Sequence, residues 1–186
     1  FRISLTDIVE DVAPISLLHE VLSPKGFNAS QIRDIYRSLS SSQSGKRFFT
    51  NEWEVLRDRE YLWIQKKDSS PLIPELIIEE IERTPSFVIP RDKHIACLDA
   101  DKLNHPLTIR KWERGDKFIP LGMNGKKKVS DYLTDKKYSL FQKENQYVVC
   151  SGEDIVWLVN ERTDHRYRIT DSTQRILLIK IKKDGQ

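Results

Sequence analysis

The chain has 186 residues, 38% of them hydrophobic and 32% charged, and a formal net charge of +3. That length suits one or two domains with a core in each. No apolar run approaches the ~18 residues that cross a bilayer, which argues against a membrane protein. The chain opens on Phe1-Arg2-Ile3, has no initiator Met and runs into polar sequence. It therefore reads as part of something longer, with no secretory leader. Cys97 and Cys150 lie in apolar, strand-like runs. Two reduced core thiols and a cytoplasmic location are expected.

The charge is unevenly placed. Residues 1–104 carry 14 Lys and Arg against 17 Asp and Glu, a net of −3; residues 105–186 carry 17 against 11, a net of +6. The asymmetry predicts two domains, 1–104 and 105–186, the second facing a polyanion.

Leu5, Ile8, Val9 and Val12 share a helical face over the first turns, and Pro14 suits the first position of a second helix. Ile15, Leu18, Val21 and Leu22 continue the stripe until Ser23-Pro24-Lys25-Gly26 stops it. Asn28 with Gln31 three residues on is a capping-box pattern, and Ile32, Ile35, Tyr36 and Leu39 follow at helical spacing. The spacing predicts a helix over 29–39. A polar stretch to Gly45 reads as a loop.

From Lys46 the apolar period becomes two, through Phe49, Trp53, Val55, Leu62 and Ile64. Short strands are predicted there, with turns at 51–52 and 57–60. Pro71 and Pro74 interrupt the chain. Residues 76–82 fit either a helix or a strand. Strands are predicted at 87–89 and 94–98, and His105-Pro106 marks the domain boundary.

The second half opens with a strand at 107–110. Glu113-Arg114-Gly115-Asp116 is turn chemistry. Ser130 or Asp131 is expected to cap a short helix reaching about Lys136. Further strands are predicted at 147–150, 155–159 and 176–179, with a hairpin at 151–154. The predicted fold is α+β: helices with a small antiparallel sheet, then a compact, mostly antiparallel α+β domain.

No catalytic set and no metal site is read from the sequence. Ser44-Gly45-Lys46 lacks the upstream glycine of a phosphate loop. His94 and Cys97 would face opposite sides of a strand. Asp99 and Asp101 at a strand exit suit capping better than catalysis. What remains is the basic stretch from Leu107 to Lys137, with Arg110, Lys111, Arg114, Lys117, Lys126, Lys127, Lys128, Lys136 and Lys137. Arg162, Arg166, Arg168 and Arg175 form a second cluster, of which the first three join the candidates. Lysine and arginine neutralise phosphates and release counterions. These twelve side chains are the candidate nucleic-acid contacts. Gly115, Asp116, Pro120, Gly122 and Gly125 are expected to shape the loop that carries them. Phe118 is expected in the core, and Trp112 at a strand end is left open between core and base stacking.

This pattern resembles the C-terminal part of bacterial tRNA(Ile)-lysidine synthetases. It is carried by Ile109-Arg110, then Arg114-Gly115-Asp116-x-Phe118-x-Pro120-Leu121-Gly122-Met123-x-Gly125-x-Lys127-Lys128, Leu133, Asp135-x-Lys137, Ile155-Val156-Trp157 and Arg162. The first half is similar to the family's middle domain through Leu17-Leu18, Gly26-Phe27-Asn28, Ser44-Gly45-Lys46-x-Phe48 and Asp58-Arg59. Many members have Gly-x-Arg where this chain has Asn160-Glu161-Arg162, and asparagine tolerates the left-handed turn that glycine would take.

The resemblance implies an ATP-dependent ligase as the parent protein. Such an enzyme joins lysine to C2 of the wobble cytidine of tRNA(Ile) with a CAU anticodon, using ATP with Mg and free lysine as substrates. Its Ser-Gly-Gly-x-Asp-Ser loop belongs to an N-terminal ATP-binding domain that these 186 residues lack. The chain is therefore expected to hold tRNA, to carry no cofactor and to be inactive alone. Homodimerisation is left open. The alternative is a non-enzymatic interaction domain whose basic half docks another domain or subunit.

Overall fold

The computed structural model describes residues 1–41, 43–67 and 73–182. The chain forms two compact units, Phe1–Pro71 with Ser139–Phe141, and Leu72–Tyr138 with Gln142–Gln186. The division by packing thus falls earlier than the expected boundary after Asn104. Residues 76–82 and 95–99 belong to the second unit because both pair with the last strand of the chain.

In the first unit, β1 (Arg2–Ser4) leads into α1 (Leu5–Val9), α2 (Pro14–Leu22) and α3 (Ala29–Leu39), followed by β2 (Lys46–Phe49), β3 (Trp53–Asp58) and β4 (Tyr61–Lys66). The strands form one antiparallel sheet in the order β1-β4-β3-β2. Pro14 opens α2, where its missing N–H has no intrahelical partner to lose. Gly26 ends the following turn at φ +83°, a conformation other side chains rarely adopt. The Asn28 side chain accepts from the Gln31 N–H, and the Gln31 side chain accepts from the Asn28 N–H. Ile8, Leu18, Leu22, Ile32 and Ile35 bury the helical stripe against Val55, Leu62 and Ile64. The edge strand β1 was not legible as a strand.

The second unit has three layers. β5 (Leu76–Glu82), β6 (Ile95–Asp99) and β13 (Arg175–Ile181) form a sheet in the order β5-β13-β6. β7 (Leu107–Lys111), β10 (Tyr147–Ser151), β11 (Asp154–Leu158) and β12 (Arg162–Thr163) form a second, in the order β12-β11-β10-β7. The faces of the two sheets enclose Ala96, Leu98, Val149, Trp157, Leu177 and Ile179. The other face of the second sheet carries Val148, Cys150, Ile155 and Leu158. It is covered by α4 (Val129–Asp135) and a two-stranded ribbon of β8 (Lys117–Phe118) and β9 (Lys127–Lys128). A break in register between Val149 and Cys150 accommodates one extra residue on β11. Consecutive Val156 and Trp157 can therefore both join the inter-sheet core. α5 (Leu140–Glu144) completes the chain's helices among the described residues.

Several expectations change. Residues 76–82 are a strand, in register with β13 along their whole length. Residues 87–89 are not one. Pro85 and Pro90 flank them without N–H donors, and Val88 is 81% exposed. α4 starts at Val129 with Lys128 as N-cap and no side-chain cap, so neither Ser130 nor Asp131 caps it. Of the predicted turn at 57–60, Arg57 and Asp58 remain in β3. Asp99 caps the short 3-10 turn that follows β6. Pro71 lies outside the described residues. Cys97 and Cys150 are both buried free thiols. Burial pushes the Cys97 thiol up to about 11, partly offset by Lys180.

Candidate nucleic-acid interface

The basic stretch is folded around two carboxylates. Asp116 closes the turn after β7. Its carboxylate accepts two hydrogen bonds from the Arg110 guanidinium, at 2.8 and 2.9 Å, and one from the Glu113 N–H at 2.8 Å. Gly115 supplies the turn's positive φ of +106°. Burial alone would raise the Asp116 carboxyl, but the hydrogen bonds from Arg110 and the Glu113 N–H outweigh it and hold the group below its ordinary 3.8.

Asp164 anchors the far side of the loop. It is fully buried. It accepts from the Ile119 N–H at 2.8 Å, from the Arg166 N–H at 2.9 Å and from the Arg166 guanidinium at 3.0 and 3.1 Å. Residues 119–123 are then laced to the segment after β11. The Leu121 N–H donates to Thr163 O and the His165 N–H to Ile119 O. The Gly122 N–H donates to His165 Nδ1 at 3.1 Å, which places that ring nitrogen as an acceptor. Gly122 has φ +89°. Gly125 has no such conformation, and a side chain there would meet open space.

The twelve basic candidates separate into two groups. Arg110 is paired with Asp116, Lys127 with Asp135 at 2.6 Å, and Arg166 with both Asp154 and Asp164. Arg162 donates to Leu121 O and Arg168 to His165 O. Lys111 donates to Asn145, and Lys136 lies over the Tyr132 ring. These seven side chains are committed, at least partly, to the protein. Arg114, Lys117, Lys126, Lys128 and Lys137 are exposed, and their side chains make no hydrogen bond or ion pair among the described residues. Four of these five lie on the ribbon or the loops flanking it, and Lys137 follows α4. Apart from the pull of Asp154 on Lys126, each has its charge open to an external anion.

The interleaved aromatics are mainly structural. Phe118 is fully buried and meets Tyr132 edge-on, ring centres 5.4 Å apart. Trp112 is half-buried and donates its indole N–H to Lys143 O. The hydroxyls of Tyr132 and Tyr138 both donate to Glu161, and Lys93 lies 3.6 Å from the same carboxylate. Burial, together with Glu161, raises both tyrosine hydroxyls above their ordinary value. Asn160 adopts the left-handed turn at φ +59°. Sequence reasoning missed Asp164 and Glu161 as organisers. The spacing of acids among basic residues gives no signal of which carboxylate will be buried.

His94 is hydrogen bonded to Asn160. No group of three or more His, Cys, Asp or Glu suited to a metal occurs among the described residues. No described helix is long and apolar enough to cross a membrane.

Residues 1–67 match the family described as the TilS substrate binding domain. A tRNA(Ile)-lysidine synthase of Bacteroides thetaiotaomicron is 52% identical over 182 residues, which cover 96% of this chain and 42% of that protein. One from Parabacteroides distasonis is 41% identical over 192 residues, covering 96% of this chain and 44% of its own length. The chain spans less than half the length of these curated relatives. A solved structure titled as the TILS C-terminal domain aligns with a TM-score of 0.51 at 19% identity. It covers 60% of this chain and 85% of its own, a likeness of fold. Over nearly its whole length, the chain is similar in sequence to part of these tRNA(Ile)-lysidine synthases.

Proposed function

We propose that this chain is the tRNA-recognition part of a tRNA(Ile)-lysidine synthase. The observation that carries the reading is the 52% identity over 96% of the chain to a protein of that name. The exposed cations of the β8–β9 ribbon add a physical reason, because phosphates are met by lysine and arginine whose charge is not already neutralised. In this reading both units hold tRNA(Ile) with a CAU anticodon in the cytoplasm. The whole protein is an ATP-dependent ligase. An N-terminal domain uses ATP with Mg to activate C2 of the wobble cytidine, and the side-chain amine of free lysine displaces AMP. The 186-residue chain alone binds tRNA and makes no lysidine.

Charge reversal tests the assignment. Lys126→Glu, Lys127→Glu and Lys128→Glu together should weaken tRNA(Ile) binding by at least about tenfold in a filter-binding titration, as expected when several phosphate contacts become repulsive. They should leave the oligomeric state unchanged. Unchanged tRNA affinity with an altered oligomeric state would instead make the basic half a docking surface for another domain or a second copy.

A further inference from the structure

The second unit has a two-lobed groove beside the ribbon. The larger lobe, of about 740 Å³, is walled by Phe87, Val88, Ile89 and Leu121 and edged by Arg91. The smaller, of about 510 Å³, is lined by Tyr132, Tyr138 and Lys136. Both lobes are lined in part by Lys93, Glu161 and Arg162, so they adjoin. Each lobe is within the size of a small-ligand site.

Two features limit what can fill it. The apolar rim is open: Val88 is 81% exposed and Ile89 48%. The residues giving this rim are the ones that fail to form a strand. The charge left over is positive. The lining has Arg91, Lys93, Lys136 and Arg162 against Asp92 and Glu161, four positive charges to two negative, and Glu161 also accepts from two tyrosine hydroxyls. Arg91 has no hydrogen bond or ion pair among the described residues. A simple anion would leave the apolar wall unused, and an aliphatic peptide would leave the cations unused. A paired nucleotide keeps its base faces inside the duplex. An unpaired nucleotide offers a flat apolar face and an attached phosphate together.

We infer that this groove binds an unpaired nucleotide of the RNA. Its base lies against Phe87 and the apolar rim, and its phosphates face Arg91, Lys93 and Arg162. The inference rests on the tRNA-recognition reading but adds a site distinct from the ribbon. The ribbon meets phosphates alone, whereas the groove selects for an exposed base.

A single-stranded hexaribonucleotide and a blunt RNA duplex, each titrated against the chain, test it. Phe87→Ala and Arg91→Ala should each weaken hexanucleotide binding by about tenfold, the order expected for removing one stacked base or one phosphate partner. Both should leave duplex affinity unchanged. Arg91 is exposed, so its variant keeps the test sound if Phe87→Ala disturbs the fold. Hexanucleotide binding that is absent, or unaffected by both variants, would overturn the inference. So would an acidic, leucine-rich peptide of similar length that binds there while the hexanucleotide does not. If duplex binding stays intact while the groove variants have no effect, the groove fails and the tRNA reading survives. Loss of duplex and tRNA binding with the hexanucleotide still held would do the reverse.

Discussion

Asp116 and Asp164 set the geometry of the basic loop, and they respond differently to change. Asp116 is held below its ordinary 3.8 in the folded state. A depressed carboxyl contributes stability above its unfolded value, and that contribution is lost as the pH falls through the folded one. Asp116→Asn should therefore destabilise the chain at pH 7 by about 1–2 kcal/mol, the worth of charge-assisted hydrogen bonds. The difference from the unmodified chain should shrink as the pH drops below 3.8. Urea unfolding at a series of pH values reads this directly, and a pH-independent difference would contradict it. Asp164 is fully buried and has three donor groups from two segments. Asp164→Ala leaves the Ile119 N–H and the Arg166 guanidinium short of an acceptor. The expected loss is about 3 kcal/mol, larger than at Asp116 because buried partners are stranded. The same unfolding titration measures it.

At the scale of elements, the helices of the first unit were the most legible. Asn28 and Gln31 make both halves of the capping box, and Asn28→Ala should cost about 1 kcal/mol. A urea midpoint for the first unit that does not move would show that the cap contributes little. Residues 29–39 were readable because cap, apolar period and stop signal agreed. Residues 76–82 were ambiguous because Leu76, Ile77, Ile78 and Ile81 fit both periods. Pairing with β13, nearly a hundred residues away in sequence, decides for a strand. The stretch 87–89 failed in the opposite sense. Its residues favour a strand, but Pro85 and Pro90 leave it without partners. The two-residue strands β8, β9 and β12 carry too few residues to show any period. In the candidate interface, sequence located the cations and the glycine turns. It could not separate Arg110 and Arg166, which are held by internal carboxylates, from Lys117, Lys126 and Lys128, which are not. That distinction depends on side-chain pairings between residues two to twelve positions apart, which the folded turns bring together.

At the scale of the whole molecule, the charge asymmetry becomes a placement. The net +6 of residues 105–186 includes a set of exposed cations on and around one ribbon, backed by a buried core of Phe118, Val129 and Leu133. Carrying those cations on a packed ribbon costs less on binding than ordering a free basic tail. The central claim is that these cations meet the phosphates of tRNA, and the salt dependence of binding tests it most directly. Affinity for tRNA(Ile) should fall linearly in log–log form with salt. Lys117→Ala, Lys126→Ala and Lys128→Ala together should reduce the magnitude of the slope by roughly 2–3, close to one unit for each phosphate no longer neutralised. A slope unchanged by the three substitutions, or tRNA binding insensitive to salt, would contradict the account.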